Sequence, residues 1–154
     1  MNYKNFINDL LNKGLIKKQT IDFNQIKMLL LRAKKDLMVA RKNLVIDEEV
    51  AYNYAYLSML RCGRALMFLK GFRPDDGQQH KTVIDFTAVI LDHQYSDLLT
   101  KFDMMRRKRN QFTYDPLLPV SRTEAENALK SAEEFAAKIT EFIKKENPQL
   151  TIGF

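Results

Sequence analysis

The sequence predicts an all-α protein, an antiparallel bundle of about five helices preceded by a short N-terminal helix. Three observations predict it. Apolar residues recur at spacings of three and four along almost the whole chain. No alternation of period two runs for more than a few residues. Gly and Pro punctuate the chain at helix-length intervals. The 154 residues suit one domain, and 45% hydrophobic with 29% charged residues exclude wholesale disorder. A single cysteine excludes an internal disulfide, and with two histidines it excludes the usual Cys/His zinc cluster. No metal and no cofactor are expected. Apolar runs such as Met28 to Leu31 are too short to span a bilayer. Lys4 and Asp9 interrupt the apolar stripe at the start, so no signal-peptide core is visible. A soluble cytoplasmic protein is expected.

Phe6, Ile7, Leu10 and Leu11 form a short amphipathic helix that Gly14 can end, because glycine accepts the left-handed cap conformation. Asp22 or Asn24 can cap the second helix. Its stripe runs Ile26, Leu29, Leu30, Ala33, Leu37, Ala40, Leu44, and its other face carries Lys27, Lys34, Lys35, Arg41 and Lys42. Asp47, Glu48 and Glu49 open the third helix, where acidic charge suits the helix dipole. Ala51, Ala55, Ser58, Cys62 and Ala65 give it a row of small side chains, the mark of a central helix approached closely by its neighbours. Gly71 and Pro74 stop it, and a loop follows from Gly71 to Gly77. Val83, Ile84, Phe86, Ile90 and Leu91 mark the fourth helix, and Tyr95, Leu98, Phe102 and Met105 the fifth. Asp115, Pro116 and Pro119 break the chain. Ser121 and Glu124 then make a capping box for the last helix, whose stripe continues from Ala125 through Phe135 to Ile143. Pro148 ends it. The expected organisation is an N-terminal extension over 1–20, the bundle over 21–147 and a tail over 148–154.

The net charge of +6 is unevenly spread. Residues 1–43 hold ten basic and three acidic side chains, and the second helix is the main source of the basic ones. A second basic cluster, Arg106-Arg107-Lys108-Arg109, can attract phosphate, RNA or an acidic partner, although charge runs also occur as plain solvated faces. Arg107 lies four after Asp103 and can pair with it on the surface. Arg109 lies seven after Phe102, so it falls on the inward stripe. An inward guanidinium must be paired or hydrogen-bonded. Asn110, Tyr114 and Asp115 follow within two turns. Together they offer a cation, an amide and a phenol; the same spacing also fits an Arg109–Asp115 bridge that staples the helix end. Phosphate-binding glycine loops, paired hydrolytic carboxylates, a Cys–His pair and a dinucleotide fingerprint are absent from the sequence.

In the order of its motifs the chain resembles the HEPN superfamily, helical domains of prokaryotic toxin–antitoxin, defence and RNA-processing systems. The resemblance rests on the helix Ile26 to Leu44 and the helix Ala51 to Leu69 with Arg64-Ala65-Leu66. It continues through Gly71-Phe72-Arg73-Pro74, His80 opening the next helix, and Arg106 to Asn110 with Tyr114. Catalytic members carry an Arg, usually a polar residue next, and a His after four to six intervening residues. Arg109 matches the Arg and Asn110 the polar residue, whereas Tyr114 stands where the His belongs. The resemblance implies a homodimer whose two Arg motifs share a cleft. It also implies metal-independent endoribonuclease chemistry, in which the Arg stabilises the scissile phosphate and the His moves the 2′-hydroxyl proton.

A tyrosine titrates near ~10, so Tyr114 is a poor base at neutral pH but can donate to phosphate. The expected function is therefore binding, with or without cleavage, of RNA or a nucleotide. Arg109 and Tyr114 would occupy the catalytic places, with Arg106, Asn110, Arg61 and Arg64 binding phosphate. The alternative is a non-catalytic RNA-, nucleotide- or protein-binding module. The resemblance further suggests a minimal nucleotidyltransferase or a small antitoxin as partner, but the tyrosine such enzymes modify is matched by Pro116. His80 reads as a helix-start residue or as a stand-in for the motif His, and His93 as a cap or surface residue. Tyr52, Tyr54 and Tyr56 read as packing residues.

Overall fold

The computed structural model describes residues 2–75, 79–91 and 93–148. Within them the chain forms six α-helices and one small sheet, in agreement with the all-α bundle and its short leading helix. The elements are α1 (Tyr3–Asn12), β1 (Ile16–Lys18), α2 (Phe23–Asn43), α3 (Glu48–Leu69), β2 (Phe72–Pro74), α4 (Gln79–Ile90), α5 (Ser96–Tyr114) and α6 (Arg122–Glu146). A 3-10 turn at His93–Tyr95 leads into α5 and leaves His93 exposed.

Side-chain caps set most of the helix starts. Asn2 accepts from the Asn5 amide and Asp22 from the Asn24 amide, so of the two candidates for α2 it is Asp22 that caps. Asp47 accepts from the amides of Glu49 and Val50. Ser121 and Glu124 make the full capping box of α6, satisfying two amides that the helix itself cannot. Gly14, with φ +69°, follows the end of α1.

Helix α3 is the centre of the bundle and packs most extensively against α2 and α6. Its row of small residues, Ala51, Ala55, Ser58, Cys62 and Ala65, is buried throughout. Burial pushes the Cys62 thiol up to about 12, so it is a packed, un-ionised group. The neighbouring Gly63 serves a different contact. A Cβ there would sit 2.5 Å from Val83 Cγ1 and 3.1 Å from Thr87 Oγ1, so only glycine lets α4 approach this closely. Phe86, Phe102, Phe135 and Tyr56 are fully buried. Each such ring removes enough apolar surface from water to stabilise the fold by roughly 1.5–3 kcal/mol. Phe102 joins the layers, 5.8 Å from the Tyr56 ring and 5.3 Å from that of Phe135.

The segment before α2 joins the same core. Ile7, Leu10 and Ile16 are buried, and the rings of Tyr3 and Phe6 both lie 6.4 Å from Phe86. Where the sequence suggested only a loop after α3, β2 pairs antiparallel with β1, in the register Ile16↔Pro74, Lys17↔Arg73 and Lys18↔Phe72. Three-residue strands are too short for alternation to register in a sequence. Flanking bonds from the Gln19 amide to Gly71 O and from the Asp75 amide to Leu15 O extend the clamp. A Lys17–Asp75 ion pair closes it at 3.0 Å. The end of the expected loop, Asp76 and Gly77, and the tail from Gln149 onward lie outside the described residues. Among the described residues no helix is long and apolar enough to cross a membrane.

Candidate functional site

The basic run of α5 divides by helical geometry. Arg106 is half-buried and donates from Nε to Asp103 Oδ1 at 3.0 Å. Arg107 is exposed and reaches the other oxygen of Asp103 at 2.8 Å. Lys108 turns to the capping box, 3.2 Å from Glu124 and 3.4 Å from the Pro119 carbonyl. Arg109 points inward, as its seven-residue spacing from Phe102 requires. Its Nε donates to Asn53 Oδ1 on α3 at 3.3 Å. Among the described residues it has no carboxylate partner. Asp115 instead accepts from the Leu117 amide, so the alternative staple between Arg109 and Asp115 is not formed.

The facing side of α3 is a row spaced by three and four: Asn53, Tyr56, Leu60, Arg64. Tyr56 is fully buried, and its hydroxyl lies 2.8 Å from Nδ1 of His80 in the first turn of α4. The two rings are 5.6 Å apart. Arg64 is half-buried, with its guanidinium carbon 5.9 Å from the Phe68 ring centre. Its Nε is buried without a hydrogen-bond partner among the described residues. Desolvation, and then the nearby Arg61, weaken its hold on its proton.

His80 reports the combined field. Burial first, then the charges of Arg109, Arg106 and Arg64, push its proton affinity below the ordinary 6.5, so it is neutral at pH 7. Burial likewise pushes the Tyr56 phenol well above its usual range, outweighing the opposing pull of Arg109 and Arg106. Three guanidiniums from two helices thus act on one neutral imidazole, with Asp103 as the nearby acid.

Not every expected residue joins this group. Arg61, one turn before Arg64, is engaged towards α2, where it forms a close ion pair with the buried Asp36. Asn110 is exposed on α5. Tyr114 ends α5 with 85% of its surface exposed. Tyr52 packs edge-on against Phe112 at 5.6 Å and is buried, while Tyr54 packs against the rim of the core. Three contributors were not singled out from sequence: Asn53, Tyr56 as the partner of His80, and Asp36. The visible signal for Asp36 was an acid set three after Ala33 and four before Ala40, inside an apolar stripe. Among the described residues no group of three or more His, Cys, Asp or Glu is placed to hold a metal ion.

A family model for the HEPN domain matches residues 26–143. The chain belongs to the HEPN domain family. No curated protein matches it significantly. The HEPN match begins within α2 and ends within α6, so Asn53, Tyr56, Arg64, His80, Arg106 and Arg109 all fall inside it. Helix α1 and strand β1 precede it.

Proposed function

We propose that this HEPN protein binds the phosphates of RNA or a nucleotide at the face where Arg109 meets α3 beside the Tyr56–His80 pair, with Arg64 and Arg106 near enough for their charge to act on His80. The observation that carries the reading is uncompensated charge. Among the described residues Arg109 has only an amide partner and Arg64 has a buried, unpartnered Nε, yet both act on the same neutral histidine. A partly buried cation is costly without a counter-charge. A phosphate supplies the charge and several acceptor oxygens at once, and guanidinium groups bind it with directed, charge-assisted bonds. HEPN domains commonly dimerise and bind RNA. Tyr114 and Leu117 are large exposed groups at and just beyond the end of α5, Met104 is exposed near its middle, and they suit closure against a second copy. In such a homodimer Tyr114 of one copy would help line the cleft of the other. A toxin–antitoxin or defence setting, with a nucleotidyltransferase or small antitoxin as partner, belongs to the same reading.

The test is anisotropy of a labelled single-stranded RNA titrated with protein at several salt concentrations. Binding should weaken steeply with salt, because phosphate contacts release counterions. Arg109→Ala should weaken it by about tenfold or more and flatten the salt slope. A chain that binds neither RNA nor nucleotides at low salt would sink the reading. Chelator-resistant cleavage of the same RNA, lost in Arg109→Ala, would add the endoribonuclease activity.

A further inference from the structure

We propose that His80 serves this site as a hydrogen-bond donor, presenting Nε2–H to a phosphate oxygen, rather than as the proton-abstracting stand-in for the histidine missing from the motif. The inference rests on the phosphate-binding reading above and assigns a role within it.

The argument starts at Tyr56. Its side chain is fully buried, and its hydroxyl has one hydrogen-bond partner among the described residues, Nδ1 of His80 at 2.8 Å. A buried hydroxyl that fails to donate is left with an unmet desolvation cost. The phenol therefore donates, and the Nδ1 lone pair is occupied. A neutral imidazole carries one proton, so that proton sits on Nε2. The imidazole is neutral for reasons already on the page: it is half-buried and three guanidiniums act on it. Nothing among the described residues bonds to Nε2.

The opposite assignment fails on the same contact. A base acting through Nε2 needs its lone pair there and the proton on Nδ1. Nδ1 would then donate to Tyr56, whose own buried proton would lose its acceptor. The ligand chemistry follows from the donors. Guanidinium groups and Nε2–H are all donors, and the acid among the described residues that acts on this group, Asp103, already accepts from Arg106 and Arg107. Such a set takes an anion rich in acceptor oxygens, as the phosphodiester of an RNA strand is.

The chain has two histidines, so its imidazole nitrogens can be assigned by long-range proton–nitrogen NMR. At pH 7.5 the spectrum should show His80 with its proton on Nε2, and adding a short single-stranded RNA should move the Nε2 resonance. His80→Ala should weaken RNA binding on the order of tenfold, the scale of a hydrogen bond to a charged group. His80→Gln, whose amide can donate from about the same place, should retain affinity within about threefold of wild type. A proton found on Nδ1 overturns the inference, and that result needs no variant to fold. RNA binding unchanged in His80→Ala but lost in Arg109→Ala also overturns it, and leaves the phosphate-binding reading standing. Wild-type protein that ignores RNA and inorganic phosphate overturns both.

Discussion

Arg61 and Arg64 lie three positions apart on α3 and face two different regions. Arg61 turns to the seam with α2, where the carboxylate of Asp36 is buried against it. Arg64 lies against a phenyl ring, its charge acts on His80 of α4, and among the described residues it has no ion pair. Both side chains are partly buried. The difference lies in compensation. On the α2 side every charge brought out of water has its counter-charge within the fold. On the α4–α5 side, among the described residues, Arg109 has an amide partner and Arg64 a buried, unpartnered Nε. A region that is compensated holds itself together, and one that is not is prepared for something from outside.

The comparison can be broken most decisively at Asp36. Burial keeps its carboxyl above the ordinary carboxylate range despite the bond from Arg61, so the pair is held in an expensive place. Asp36→Ala leaves Arg61 half-buried and unpaired, and urea denaturation should show a loss of about 3 kcal/mol. Replacing both residues with leucine should recover most of that loss, because no charge is then left alone. Next comes the contact that carries α4. Gly63→Ala gains helix propensity but pushes a methyl into Val83 and Thr87. A net destabilisation of about 1–2 kcal/mol is expected from thermal or urea melts. A stabilised variant would mean that α4 can move away from α3 at little cost.

Arg64→Ala sharpens the contrast with Asp36→Ala. Among the described residues no acid pairs with Arg64, so stability should change by no more than about 0.5 kcal/mol. RNA affinity should nevertheless fall by about three- to tenfold, with the salt slope reduced by about one. Loss of stability without loss of binding would place Arg64 with Arg61. The smallest effect is on pH. His80 binds its proton less readily in the folded state than in the unfolded chain. As pH falls below 6.5 the unfolded chain takes up that proton first, so stability declines from there down to the lowered folded value. Denaturation midpoints measured between pH 7 and 5 should drift down, and His80→Gln should remove its share of the drift.

How much of this was legible in the chain depends on the range of the interaction. The helices were readable because a stripe, a cap and a stop all lie within one element. The inward aim of Arg109 was readable from Phe102, seven residues earlier on the same helix. Its partner was not, because Asn53 belongs to another helix and an exposed asparagine looks the same in sequence. Likewise the histidine could be flagged, but its bond to Tyr56 depends on how closely α4 meets α3. That approach rests on Gly63, which reads in sequence as one more small residue. Arg61 and Arg64 were indistinguishable as letters. Only the packing of α2 on one side and α4 on the other separates them.

The clamp between β1 and β2 has a consequence for how the molecule assembles. Ile16 and Pro74 are joined through the whole of α2 and α3, so their pairing closes a large ring of chain. Both long helices can form from local contacts, but this closure waits until they are docked, since the entropy of a large ring must be overcome first. Strand β2 is fastened by that late step, so the α2–α3 hairpin matures before the clamp closes. In hydrogen-exchange terms, amides of β2 and the first turn of α4 should open together, and removing the residues before α2 should loosen them while the long helices keep their protection.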